Sequence, residues 1–288
     1  MHKNLPIGIF DSGIGGLTVY KKLRKLLPNE DIIYFGDTYR APYGSRKKAE
    51  IYQFVDEIMT FMSLSSVKLG VVACNSITVL GIDSISYNYN FDLIGNSTGA
   101  MSALGATRNK RIGVLATEMT VKSGFHAAEI SAIDANAQLF AQPCPNFAPL
   151  IELGDLQSSE LHEAVTEYLT PLKELNVDTV ILACTHYPYI TQLIQEFMGE
   201  KVTIIDPAEE TAQRAYDFLA SVHGLNENHE GTSRFYFSSN PERAKMVAKN
   251  LFDTRNLKFE MLDLSLLTYY CSRYSISNTE QSLLHEIR

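Results

Sequence analysis

Two short segments bring a thiol to the end of an apolar run and follow it with polar groups. Val180-Ile181-Leu182-Ala183 is succeeded by Cys184-Thr185-His186-Tyr187-Pro188, and Leu69-Gly70-Val71-Val72-Ala73 by Cys74-Asn75-Ser76. Such runs read as buried strands, and Pro188 reads as the opening of a helix. A lone Cys near a His suggests a thiolate nucleophile, and a hydrolase using Cys184 alone is one reading. Two thiols in equivalent places suit a different reaction, inversion at carbon. If they face each other across a cleft, one thiolate can remove a proton from one face while the other thiol delivers one to the opposite face. A carbon acid beside a carboxylate is far weaker than a thiol of ordinary pKa, about 8.5, so the site must stabilise enediolate charge and activate its thiolates. Asn75, Ser76 and Thr185 are donors placed for a substrate carboxylate, while Asp11 and His186 can each manage protons.

The strands that must carry these residues recur along the chain. Cys74 and Cys184 are 110 positions apart, and the strand patterns Ile7-Gly8-Ile9-Phe10-Asp11-Ser12 and Ile112-Gly113-Val114-Leu115-Ala116-Thr117 are offset by 105. The two offsets suggest a duplicated α/β unit, each copy presenting the polar end of a first strand and the cysteine of a later one. Strands are expected at Leu5–Phe10, Asp31–Phe35, around Leu69–Ala73, Asp92–Gly95, Arg111–Ala116, Val180–Ala183, Val202–Ile205 and Arg234–Phe237. Helices are expected after Gly16, from Ser45 as N-cap to Ser63, and over Ala100–Thr107, Ser158–Leu175, Ala208–Ala220 and Pro241–Leu251. A polar linker covers Gly224–Thr232, and the tail after Asp253 is not expected to carry chemistry.

The turn Asp11-Ser12-Gly13-Ile14-Gly15-Gly16 raises the question of phosphate binding. Gly13 and Gly15 fit the first two glycines of G-x-G-x-x-G, but Thr18 stands at the third and no Gly-Lys-Ser/Thr follows, which favours a tight turn presenting Asp11 and Ser12 to a small ligand. In the loop Gly36 to Gly44, Arg40 can pair with a carboxylate and Tyr43 and Gly44 can offer backbone amides, and a purely structural turn is the equal alternative. Glu152 stands alone among apolar residues, as a surface acid, a helix cap or a buried partner for an imidazole. Cys144, between two prolines, reads as structural in an irregular extended loop. The remaining histidines, His2, His126, His162, His223, His229 and His285, read as surface or satisfied structural groups.

A chain of 288 residues holds one large or two ordinary domains, and 45% hydrophobic with 20% charged residues is ordinary for a globular protein. No apolar run approaches the roughly 20 residues of a membrane span. The strand pattern beginning at Leu5 leaves no room for a secretory signal, so a cytoplasmic location with four free cysteines is expected. The cysteines show no zinc spacing and no metal is expected. A net charge of −8 argues against nucleic acid as the main ligand.

Taken together, Phe10 to Val19, Gly36-Asp37-Thr38 through Pro42-Tyr43-Gly44, Ala73-Cys74-Asn75, Pro149-Leu150-Ile151-Glu152 and Ala183 to Pro188 resemble the glutamate racemases of the cofactor-independent aspartate/glutamate racemase superfamily. The resemblance covers about residues 5 to 252. It implies two similar flavodoxin-like α/β domains related by a pseudo-two-fold axis, with the active site in the cleft between them. The first would hold residues 1–96 plus 207–288, the second 97–206. It implies Cys74 and Cys184 as acid/base thiols, supported by Asp11, Glu152 and His186. Ser12, Tyr43, Gly44, Asn75, Ser76, Thr117, Thr120 and Thr185 would hold the amino acid, with Asp11 and His186. No cofactor is implied; the substrate is glutamate, the product serves peptidoglycan, and a homodimer is expected. Alternatives are a racemase of aspartate or another small acid, and a non-catalytic regulatory protein of the same fold that binds DNA gyrase.

Overall fold

The structure, a computed structural model, describes residues 2–81, 89–227 and 230–273. Its strands form two parallel sheets. The first contains β1 (Ile7–Asp11), β2 (Ile32–Gly36), β3 (Leu69–Val72), β4 (Asp92–Gly95), β9 (Ser233–Phe237) and β10 (Phe259–Met261), in the order β10-β9-β2-β1-β3-β4. The second contains β5 (Arg111–Ala116), β6 (Gln138–Pro143), β7 (Thr179–Ala183) and β8 (Thr203–Ile205), in the order β6-β5-β7-β8. Four consecutive strands in each sheet therefore follow one plan, second-first-third-fourth. The correspondence extends to register: Ile9 lies opposite Val71, and Val114 opposite Ile181. The duplication seen in the sequence is thus a duplication of topology.

The central strands are continuous apolar runs because helices cover both faces of each sheet; β1, β2 and β7 are buried throughout. Between and around them lie α1 (Leu17–Leu26), α2 (Lys48–Leu64), α3 (Asn75–Thr78), α4 (Ala100–Ala106), α5 (Glu118–Ser123), α6 (Phe125–Ile133), α7 (Phe147–Leu153), α8 (Ser159–Glu174), α9 (Thr191–Met198), α10 (Ala208–Ser221) and α11 (Pro241–Ala248). One apolar cluster joins the halves, uniting Ile9, Leu17 and Val71 with Leu115, Val180 and Leu182. A second fills the other face of the first sheet, where Ile51, Val55, Ile58 and Met62 recur at helical spacing along α2. The helix after each fourth strand changes sides: α4 follows β4 but packs on β7 and β8, and α10 follows β8 but packs on α1 and β4.

Several local expectations are corrected. Ser45 does not cap α2; Tyr43–Ser45 is a 3-10 turn, Arg46 and Lys47 are extended, and the Lys47 amide donates to the Glu50 carboxylate at 3.1 Å. Pro188 lies in a 3-10 turn, Tyr187–Ile190, and the α-helix starts at Thr191. Cys144 lies, as expected, in an irregular link, but a strand not expected from the sequence, β6, leads directly into it. That strand is half-exposed at the sheet edge, where a proline without an N–H is tolerated, so neither a buried run nor clean alternation marked it. The tail adds β10 and a helical stretch over 264–273 that buries Leu267. Among the described residues, no helix is long and apolar enough to cross a membrane.

Candidate active site

Cys74 and Cys184 follow corresponding strands, β3 and β7, and open onto one pocket. Ser12, Tyr43, Gly44, Asn75, Ser76, Thr117, Thr185 and His186 also line it. Pro42 and Ala148 complete the lining, and nothing in their residue types marks them as site residues.

Three expected residues stand behind this lining. Asp11, fully buried, turns one carboxylate oxygen to the Gly13 and Gly16 amides, at 3.1 and 3.0 Å, and accepts from the Thr185 hydroxyl on the other at 3.3 Å. Thr120 accepts from Thr117 Oγ1 at 3.1 Å, and Thr117 shares a hydrogen bond of 3.1 Å with Ser76 Oγ. Glu152 Oε1 meets His186 Nε2 at 2.7 Å and accepts the Ile14 amide at 2.9 Å. Of its three readings Glu152 is therefore the partner of an imidazole, though half-buried rather than buried.

The glycine turn brings the halves this close together. A Cβ on Gly13 would lie 2.0 Å from Glu152 Oε1, and one on Gly15 would lie 2.5 Å from His186 Nδ1 and Thr185 Oγ1. Since Asp11 and Glu152 take the amides of Gly13, Ile14 and Gly16, those donors are not directed at a phosphate. Tyr189 OH donates to the Ile14 carbonyl at 3.1 Å and Thr18 Oγ1 to the Thr185 carbonyl at 3.2 Å, fastening the turn to the Cys184 segment.

Arg40 pairs inside the protein, with Asp37 and Glu57 at 2.5 Å each, and is spent on fixing its loop. Tyr43 OH also donates to Asp37, so the residue that lines the pocket is held from behind. His126 is buried, but its Nε2 has no hydrogen-bond partner, which corrects the expectation of a surface or satisfied group. Burial pushes its pKa down to about 4. His2, His162 and His223 are exposed; His229 and His285 lie outside the described residues.

The surroundings of the thiols differ electrostatically. The Cys74 thiol donates to Ser12 Oγ at 3.6 Å; burial, reinforced by the Asp11 charge, pushes its pKa up and favours the protonated form. Cys184 Sγ lies 3.8 Å from His186 Nδ1. Burial opposes a charge on His186, but its contacts with Cys184 and Glu152 prevail and hold it well above the ordinary imidazole range. Burial raises the Asp11 carboxyl, against the lowering effects of His186 and the Gly16 and Gly13 amides. The arrangement thus pairs a protonated thiol on one side with a thiol beside an imidazolium on the other, which is the equipment for proton transfer at one atom from two directions.

A duplicated parallel α/β scaffold with a strand-end thiol from each copy defines the class of Asp/Glu/Hydantoin racemases, whose family pattern matches residues 7–215. The chain belongs to this family and is an amino-acid racemase, an isomerase. It is 44% identical over 247 residues to the glutamate racemase of Thermoanaerobacter sp. (strain X514), covering 85% of this chain and 92% of that protein. Among solved structures, glutamate racemase RacE1 of Bacillus anthracis superposes with a TM-score of 0.83 at 32% identity, covering 91% of this chain and 98% of that one. Francisella tularensis glutamate racemase, solved in complex with D-glutamate, superposes with a TM-score of 0.79 at 33% identity over 91% and 97%.

Proposed function

We propose that the protein interconverts L- and D-glutamate by proton transfer at Cα between Cys74 and Cys184, without a cofactor, and supplies D-glutamate for peptidoglycan. The observation that carries this reading is the presence of both thiols in one pocket, each from the same place in its half of the fold. In one direction Cys184, as the thiolate beside His186, removes the Cα proton and the Cys74 thiol donates its proton to the opposite face. A net proton moves from one sulfur to the other, so the next turnover in the same direction requires the thiols to be reset. In the reverse direction the roles exchange. His186, held by Glu152, stabilises negative charge beside Cys184, and Asp11 orders the turn that carries Ser12. Ser12, Tyr43, Gly44, Asn75, Ser76, Thr117 and Thr185 bind the amino acid, with Thr120 supporting Thr117.

The proposed domains are 1–96 with 207–288, and 97–206; the changes of side by α4 and α10 support these limits. A cytoplasmic homodimer is proposed as the working form. The experiment is circular dichroism of L-glutamate, and separately L-aspartate, with purified protein in D2O and no added cofactor, while NMR follows deuterium entry at Cα. Loss of optical signal with deuterium incorporation for glutamate alone is expected. Retention of both signals without deuterium entry refutes the proposal, and turnover of aspartate instead moves the substrate assignment.

A further inference from the structure

Asn75 is the pocket residue with a donor to spare. It is 4% exposed, and its side-chain Nδ2 is buried without a hydrogen-bond partner. A buried donor left without an acceptor is unfavourable, so one beside a ligand pocket is a strong point of attachment for an acceptor. Its other end is occupied: Oδ1 accepts from Asn96 Nδ2 at 2.7 Å. Asn96, also 4% exposed, is held in turn: Thr211 Oγ1 donates to its Oδ1 at 2.7 Å, in preference to the Pro207 carbonyl at 2.9 Å, and its own amide N–H donates to Thr78 Oγ1 at 3.2 Å. Thr211 is fully buried on α10 and accepts the Ser97 amide at 2.8 Å.

We infer that Asn96 is a positioning residue for substrate: by occupying the oxygen of Asn75 it leaves the Asn75 NH2 as the end available to a substrate carboxylate. The inference rests on the reading of the pocket as an amino-acid site. An amide has one donating and one accepting end, and reversing it would offer an oxygen to the anion. Each link of the relay donates toward the pocket, from Thr211 to Asn96 to Asn75 and onward to the ligand. The relay also joins the segment after β4 to α10, the two places where the chain passes between the halves. Asn75 is thereby referenced to the join between the halves.

The test compares Asn96→Leu, Asn96→Asp, Thr211→Val and Thr211→Ser, with KM and kcat for L-glutamate from circular dichroism and thermal melting of each variant. Leucine removes the donor without adding charge. Aspartate can only accept, so it draws the Asn75 NH2 toward itself and turns the oxygen to the pocket. The expected rise in KM is about 5- to 20-fold for Asn96→Leu and about 30-fold or more for Asn96→Asp, with kcat within about threefold of the parent. Thr211→Val raises KM about fivefold, and Thr211→Ser restores it. Unchanged KM in both Asn96 variants, or losses that follow melting temperature and strike kcat equally, overturns the inference while wild-type turnover leaves the functional reading intact. Absence of glutamate turnover and binding in the wild type refutes the functional reading, and the inference with it.

Discussion

Replacing Glu152 by Gln tests the electrostatics at Cys184 with little change of shape. The side-chain amide introduced by Glu152→Gln retains a carbonyl that can accept from Ile14 N and from a protonated Nε2 of His186, so the contacts at 2.9 and 2.7 Å have a neutral substitute. The full negative charge is lost. Two unit charges about 4 Å apart interact by about 4 kcal/mol at an effective dielectric of 20. The Glu152 side chain is 20% exposed, and solvent screening brings this down to about 2–3 kcal/mol. At 1.36 kcal/mol per decade, loss of an imidazolium that supports the transition state lowers kcat/KM roughly 30- to 150-fold. The pH profile carries a separate signature. His186 is raised above its ordinary range, so its protonated form persists below the folded pKa and is lost as pH rises through it. Removing the Glu152 charge lowers that pKa and moves the alkaline limb of kcat/KM to lower pH. Racemisation followed by circular dichroism from pH 6 to 10 gives both quantities. An unmoved alkaline limb, or a loss below about threefold, refutes the assignment of Glu152 as the charge partner.

Gly13→Ala places a methyl 2.0 Å from Glu152 Oε1, the far end of a flexible side chain. Stability should therefore fall by only about 1 kcal/mol while kcat/KM falls at least as far as in Glu152→Gln; a large melting shift with intact activity contradicts this. His126 is held neutral by burial, so its contribution to stability is full above its unfolded pKa of 6.5 and is lost as pH falls toward about 4. The amount is up to about 3 kcal/mol, and melting of His126→Phe between pH 4 and 7 should show that part of the acid sensitivity removed. Cys74→Ala and Cys184→Ala should each reduce inversion by at least about 10³-fold, since in the proposed scheme each thiol carries the proton on one face; near-normal inversion by either variant excludes that scheme.

The elements legible in the sequence were those whose physics is local. β3 and β7 are apolar because both faces are covered, and their cysteines follow at once, so strand and site residue were found together. The glycines of the first turn were read as permitting a tight bend, whereas the structure gives them a second reason: Gly13 and Gly15 are pressed against Glu152 and His186, which lie far along the chain. No local pattern carries that information. β6 escaped because an edge strand is only partly buried, and β10 because it is three residues long within an aromatic tail. Asn96 escaped for a related reason. Its segment, Gly95-Asn96-Ser97-Thr98, looks like an ordinary loop, and its significance lies in contacts with Asn75 and Thr211 that span the fold.

Register makes the symmetry of the pocket concrete. With Ile9 matching Val114 and Val71 matching Ile181, Ser12 corresponds to Thr117, Cys74 to Cys184, Asn75 to Thr185 and Ser76 to His186, and all eight residues line the pocket. The duplication has therefore kept the thiols paired while their supports diverged, an amide and a hydroxyl following one thiol and a hydroxyl and an imidazole the other. Asp11 likewise corresponds to Ala116, so only the first strand ends in a carboxylate. The enantiomers of an amino acid have equal free energy in water, so kcat/KM must be the same in both directions whatever these supports do. Their asymmetry can appear only in the separate terms. One enantiomer should show both the higher kcat and the higher KM, and exchange of the supports between thiols, rather than their removal, is what would reverse that preference.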